Sequence, residues 1–93
     1  MGTKRSGKLY YGDSVLRYCI RVERDADGNY VSTLNYDGML LEWFERHPLP
    51  KEQFTLLLDG KEEVRLLRAQ LRAPLPAPPE ATMTLIMVPM EDE

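Results

Sequence analysis

The segment VLRYCIRVERDADGNYVSTLNY, residues 15–36, decides the expected fold. Its first half, Val15–Arg24, alternates apolar and polar side chains, and this period of two is typical of a strand with one face in the core. Asp27-Gly28 separates it from a second run, Asn29–Tyr36, that is rich in residues favouring extended structure. An Asp-Gly pair between two such runs predicts a tight hairpin, here with type I′ geometry.

The two faces of the first hairpin strand differ in chemistry. We expect the face that packs against the core to carry Leu16, Tyr18, Ile20 and Val22. The opposite face then carries Arg17, Cys19, Arg21 and Glu23.

Shorter elements flank the hairpin. Lys8–Tyr11 is predicted to be a strand, and Gly12–Ser14 is predicted to be the turn that follows it. On the other side, Asp37-Gly38 ends the second hairpin strand. The apolar residues of Met39–His47 have helical spacing, and Pro48 ends this helix because proline has no backbone N–H to donate.

The segment Lys51–Arg72 has two interpretations. Its larger apolar residues fit one helical stripe, which favours a single helix or two helices hinged near Gly60. The alternative is a strand at Phe54–Leu58, a turn at Asp59-Gly60 and a helix from Lys61. We favour the helical interpretation.

The last predicted strand is Ala81–Met90, which is apolar on both faces. Met83, Leu85 and Met87 share one face, and Ile86 and Val88 share the other. A strand of this kind belongs in the middle of a sheet or under a covered face.

These elements predict a two-layer α+β domain. In chain order it consists of a three-strand meander, two helices and a last strand. The four strands form one antiparallel sheet, and the helices lie on one face of it. Residues 1–93 are expected to form a single domain. Within it we expect disorder at residues 1–7, a proline-rich connector at 73–80 and an acidic tail at 91–93.

Charge, apolar runs and the cysteine count exclude several classes of function for this chain. The chain has 12 basic and 15 acidic residues, so its net charge of −3 does not favour general nucleic-acid binding, although residues 1–24 are locally basic. No apolar run is long enough to span a bilayer, so we expect no membrane partner. One cysteine excludes an internal disulfide, and residues 1–8 lack the apolar core of a signal peptide. The expected compartment is the cytoplasm.

The sequence predicts no catalytic site, no metal and no cofactor. Cys19 and His47 are the only candidates for a nucleophile and its base, and no catalytic motif surrounds either residue. His47 is better explained as a charge partner for the C-terminus of its helix. Residues 25–36 do not match a calcium loop, because the glycine comes too early and Tyr36 occupies the glutamate position. We therefore predict that the protein is not an enzyme and keep a reactive Cys19 as the hypothesis to test.

The hairpin resembles the first hairpin of HicB-type antitoxins. The shared pattern runs from Tyr18 to Val31 and reads Tyr-Cys-Ile-Arg-Val-Glu-Arg-Asp-Ala-Asp-Gly-Asn-Tyr-Val. The chain departs from that family after the second strand, where Asn35–Gly38 replaces the expected proline-rich stretch. The resemblance implies toxin binding through the sheet or the helices.

We predict a small non-catalytic protein-binding module, an inhibitor or adaptor that occupies the surface of another protein or pairs with a second copy of itself. Small inhibitors and adaptors of phages and mobile elements are similar in composition, by analogy only. A HicB-like antitoxin or another nucleic-acid-associated regulator is the alternative. The predicted binding residues lie on the sheet face away from the helices: Arg17, Cys19, Arg21, Val31, Ile86 and Val88.

Overall fold

The computed structural model describes residues 5–73 and 81–90. They form six strands and one helix. In chain order these are β1 (Arg5–Tyr11), β2 (Ser14–Arg24), β3 (Tyr30–Asn35), α1 (Gly38–Arg46), β4 (Phe54–Leu58), β5 (Glu62–Arg72) and β6 (Thr82–Pro89). No helix within these residues is long and apolar enough to cross a membrane.

The strands close into an antiparallel barrel, so the predicted two-layer α+β fold is wrong. The order around the barrel is β1-β2-β3-β6-β5-β4, and β4 pairs in turn with β1. Each half of the chain forms a three-strand meander. The β3–β6 and β1–β4 pairings join the two meanders and leave one helix outside the barrel wall.

The helical prediction for Lys51–Arg72 fails because this segment is the β4–β5 hairpin. The inward-facing residues of β5 are first Val64 and Leu66 and then Ala69 and Leu71, since a register shift between Leu66 and Arg68 inserts one extra residue. Leu67, at this shift, is 59% exposed, so Val64, Leu67 and Leu71 have helical spacing along the sequence although they do not share one face of the strand. The alternative was right about the β4 strand and the turn after it, and wrong about a helix from Lys61.

The β4–β5 turn has the geometry that we expected of the first hairpin. Asp59 and Gly60 both have positive φ, 54° and 68°, and the Lys61 N–H donates to the Leu58 carbonyl at 2.9 Å. Two consecutive positive φ values are the mark of a type I′ turn.

The β2–β3 hairpin is confirmed, but its type I′ turn is not. Only Gly28 has a positive φ, and its N–H donates to the Asp25 carbonyl at 3.1 Å. The Asp25 N–H donates to the Asn29 carbonyl at 2.9 Å, which leaves a three-residue loop with glycine in the left-handed position. The Asp25 carboxylate accepts from the Asp27 and Asn29 N–H groups and so stabilises the loop.

β2 does not keep the expected alternation of faces. Its pairing with β1 shifts register twice, and one shift lies between the Gly7–Cys19 and Arg5–Val22 pairs. As a result Cys19 and Val22 both point into the core, whereas Tyr18 and Ile20 are 54% and 81% exposed. Of the four side chains expected in the core, Val22 is buried and Leu16 is partly buried against the core cluster.

The barrel interior is filled by side chains. The buried cluster comprises Leu9, Cys19, Val22, Tyr30, Leu34, Leu40, Phe54, Leu56, Leu58, Leu66, Leu85 and Met87. The β6 prediction is confirmed, since Met83, Leu85 and Met87 are buried and the strand lies between β3 and β5. Among the described residues, side chains of all six strands and of α1 thus occupy the interior of the barrel.

Helix α1 covers one end of the barrel through its buried Leu40. Its N-cap is Asp37, whose Oδ1 accepts from the N–H groups of Met39 and Leu40 at 3.1 and 3.2 Å. The helix predicted at Met39–His47 is therefore confirmed, with Gly38 as its first residue and His47 as its C-cap.

The predictions for the ends and the connector have mixed outcomes. Disorder at residues 1–7 is wrong for residues 5–7, because β1 begins at Arg5 and Gly7 is buried. Residues 1–4, residues 74–80 of the connector and the acidic tail at 91–93 lie outside the described residues.

Candidate functional site

Three of the predicted binding residues lie together on the outside of the barrel. Val31 of β3 pairs directly with Ile86 of β6, and Val88 follows two residues later on the same face. Because Leu85 and Met87 point into the core, Ile86 and Val88 must point outward. We call Val31, Ile86 and Val88 the outer apolar row, and all three side chains are only partly buried.

Arginines flank the outer apolar row. On β5, Arg68 pairs with Val88, and Arg72 pairs with Thr84 on the same outward face. On the other side lie the exposed Arg21 of β2 and Glu23, which pairs with Val31. Three guanidinium groups and one carboxylate therefore surround the row, and a surface of this composition is complementary to an apolar patch carrying carboxylates.

Cys19 does not belong to this surface, because its side chain is completely buried in the core. Burial also raises the pKa of the Cys19 thiol, since the low-polarity interior disfavours the thiolate. A protonated and buried thiol is a poor nucleophile. The structure thus places five of the six predicted residues at or near the surface. The sixth, Cys19, cannot contact a partner there, because its side chain is buried.

Arg17 lies beside the surface, in a different setting from Arg21. Its Nη1 donates to Asp37 Oδ2 at 3.0 Å, so one carboxylate both caps α1 and pairs with β2. Its Nε is buried and has no hydrogen-bond partner among the described residues. The guanidinium therefore keeps a free donor next to the protein's interior.

Between β2 and β3 the barrel wall is open. The two strands pair only at Glu23–Val31 and Arg24–Tyr30, although β2 continues for nine residues before Glu23, from Ser14 to Val22. A groove of about 330 Å³ occupies the gap. We call it the β2–β3 seam, and it is lined by Arg17, Ile20, Arg21, Glu23, Thr33, Leu34 and Asn35.

An aromatic cluster that the sequence analysis did not identify lies at the helix end of the barrel. The Tyr11 ring contacts Trp43, His47 and Phe54, with ring centroids 4.9, 5.9 and 5.2 Å away. His47 stacks on Trp43 at 4.0 Å, and its Nδ1 lies 2.7 Å from the Trp43 carbonyl oxygen. His47 thus lies at the C-terminus of α1 as expected, and its role there as a charge partner stays a prediction. Only the closed barrel brings Tyr11 to α1, so spacing along the chain carried no signal for the cluster.

At the opposite end of the barrel, ion pairs link β1 to the β4–β5 hairpin. Arg5 of β1 donates to Asp59 in the β4–β5 turn and to Glu62, the first residue of β5, each at 2.8 Å. The hydrogen bond from Arg5 holds the pKa of Asp59 below its usual value. These exposed groups have ordinary stabilising contacts and do not form a reactive set.

No group of three or more His, Cys, Asp or Glu side chains within residues 5–73 and 81–90 is arranged to hold a metal ion. Comparison of the chain with known protein families, with curated proteins and with solved structures finds no match. The resemblance to HicB-type antitoxins therefore rests on residues 18–31 alone.

Proposed function

We propose that this protein is a small non-catalytic protein-binding module that acts in the cytoplasm as an inhibitor or adaptor. The observation that supports the proposal is the outer apolar row, Val31, Ile86 and Val88, with Arg21, Arg68 and Arg72 around it. Apolar centres with arginine at their edges are typical of protein interfaces, in which arginine is enriched and lysine depleted. The partner we propose presents an apolar patch ringed by carboxylates.

The barrel favours this mode of action over catalysis. Its interior is filled, and its reactive thiol candidate is buried. A rigid barrel wall instead presents a preformed surface, so binding there costs little ordering of the protein itself. The proposed mechanism is occupation of the partner's surface, which blocks or bridges whatever else binds there.

The test compares capture of a partner by matched variants. The double variant Val88→Asp with Arg21→Glu should keep its fold and lose partner binding by about tenfold or more, because it places carboxylates in and beside the apolar centre. The control variant, Leu49→Asp with Arg46→Glu, makes comparable chemical changes at exposed positions in and just after α1, away from the row. It should bind as the wild type does.

The readouts are affinity capture with mass spectrometry, followed by titration of the captured partner against each variant. Equal binding by both double variants would overturn the proposal. If sedimentation shows a dimer that Val88→Asp dissociates, the occupant of the row is a second copy of the chain and not a different protein. A salt-dependent mobility shift of DNA or RNA, lost in the same variant, would contradict protein binding and support the regulator.

A further inference from the structure

The β2–β3 seam leaves strand edges without partners. In β3, backbone groups alternate in direction from one residue to the next. The Asn29 carbonyl accepts from Asp25 on the β2 side, and the Tyr36 N–H donates to Ala81 on the β6 side. The odd-numbered residues of β3 therefore direct their backbone groups toward β2.

Two residues of β3 lie beyond the reach of this pairing. Val31 is the last odd-numbered residue with a β2 partner, so Thr33 and Asn35 face the seam past the end of the ladder. On the β2 side, the Arg21 carbonyl accepts from the Ser32 hydroxyl at 2.6 Å, where a regular ladder would supply a backbone N–H. The seam is thus an interrupted ladder with strand edges on both sides.

The side chains of the seam define what could fill it. Leu34, which is only 4% exposed, lies at the bottom of the groove, and Ile20, which is 81% exposed, lies at its edge. Arg17 and Arg21 are the basic residues of the lining, and Glu23 is its acidic residue. Because Leu34 is buried and both Ile20 and Arg21 are exposed, an added strand would direct alternate side chains inward toward Leu34 and outward toward Arg21 and Ile20.

We propose that the β2–β3 seam binds an extended segment of the partner protein, in which apolar and acidic residues alternate. The segment adds a strand beside β3, with its backbone bonded to Thr33 and Asn35 and its apolar residues on Leu34. Its carboxylates lie on the outer side, where they pair with the exposed Arg21. This inference rests on the proposed function and names the chemistry of the partner.

The experiment uses a fluorescein-labelled peptide of about eight residues that alternates glutamate and valine. Two control peptides replace glutamate by lysine or carry N-methyl groups on alternate backbone nitrogens. We expect the glutamate peptide to bind, and each control to bind about tenfold more weakly or not at all. N-methylation removes backbone donors and adds bulk at the strand edge, and it leaves the side-chain charges unchanged, so its effect separates strand addition from charge attraction.

Two exposed side chains of nearly equal exposure supply the matched variants. Ile20→Asp adds a carboxylate on the outer side of the seam, where it repels the carboxylates of the segment. Met39→Asp adds one on α1, where the side chain is 84% exposed. Ile20→Asp should weaken peptide binding about tenfold, and Met39→Asp should leave it within about twofold. Both variants should melt as the wild type does, because neither side chain is part of the core.

The outcomes separate the two proposals. If the N-methylated peptide binds as well as its parent, or Ile20→Asp has no effect, the seam inference is wrong, and partner capture that depends on Val88 still stands. If partner capture is insensitive to Val88→Asp but sensitive to Ile20→Asp and to the N-methyl control, the outer apolar row is wrong and the seam is right.

Discussion

At the scale of single residues, one dipeptide has three conformations in this chain. Asp-Gly occurs at residues 27–28, 37–38 and 59–60. The first places glycine in the left-handed position of a three-residue loop, the second caps and begins α1, and the third forms the type I′ turn. The sequence therefore predicts where the chain breaks. The geometry of each break depends on the register of the flanking strands, which the dipeptide does not encode.

Two glycine substitutions should have opposite effects on stability. Gly60→Ala should lower the free energy of unfolding by about 1 kcal/mol, because an L side chain is strained at φ 68° although nothing lies within 4 Å of the new Cβ. Gly38→Ala should leave stability equal or higher, since Gly38 is helical, lacks a positive φ and has only ordinary contacts with the Tyr36 ring. Urea unfolding of both variants measures the difference. Equal losses would contradict the turn assignment.

At the scale of elements, the strands with simple alternation were predictable and those with bulges were not. β3, α1 and β6 follow their local patterns closely enough that their positions are confirmed. β2 was located correctly, but its core face was not, because its register shifts turn Cys19 inward and Ile20 outward. β5 was mistaken for helix for the same physical reason. A bulge inserts one residue into a strand and so reverses which side chains face the core beyond it. The residue types around a bulge do not indicate where it lies.

Deleting one residue should distinguish the bulge in β5 from the regular strand around it. Removal of Leu67 leaves Val64, Leu66, Ala69 and Leu71 in strict alternation and keeps the pairing with β6, so the protein should still fold. Removal of Gln70 turns Leu71 outward and should unfold the barrel or lower its stability far more.

The measurement is the thermal midpoint of each deletion variant by circular dichroism. We expect the variant without Leu67 to be the more stable of the two and less stable than the wild type, because the bulge also contributes curvature to the barrel. The reverse order would show that the register of β5 has been misassigned.

At the scale of the whole molecule, local sequence patterns could not predict that the sheet closes into a barrel. The β1–β4 and β3–β6 pairings join segments far apart in the chain, and no periodicity within a segment specifies its distant partner. The outer apolar row was nevertheless predictable, because alternation within β6 alone places Ile86 and Val88 together. The β2–β3 seam was not predictable, since it arises where the first hairpin stops pairing.

The buried thiol reports on opening of the whole barrel. Cys19 is completely buried, so it should react with a thiol reagent at neutral pH only when the barrel unfolds. Labelling across a urea series should follow the unfolding transition measured by tryptophan fluorescence. Rapid labelling of the folded protein would contradict this expectation and would make a reactive Cys19 plausible again.

The division of the barrel into two meanders has a consequence for how quickly the native state is reached. Each meander contains only near neighbours in the chain, and hairpins of this kind form within about 1–10 μs. The β1–β4 and β3–β6 pairings join segments far apart in the chain, so long loops must close before these contacts form. Such closure lengthens the folding time of barrels to about milliseconds or seconds. We therefore expect docking of the two meanders to limit the folding rate, and until it occurs the unpaired edges of β1, β3, β4 and β6 are open to other chains.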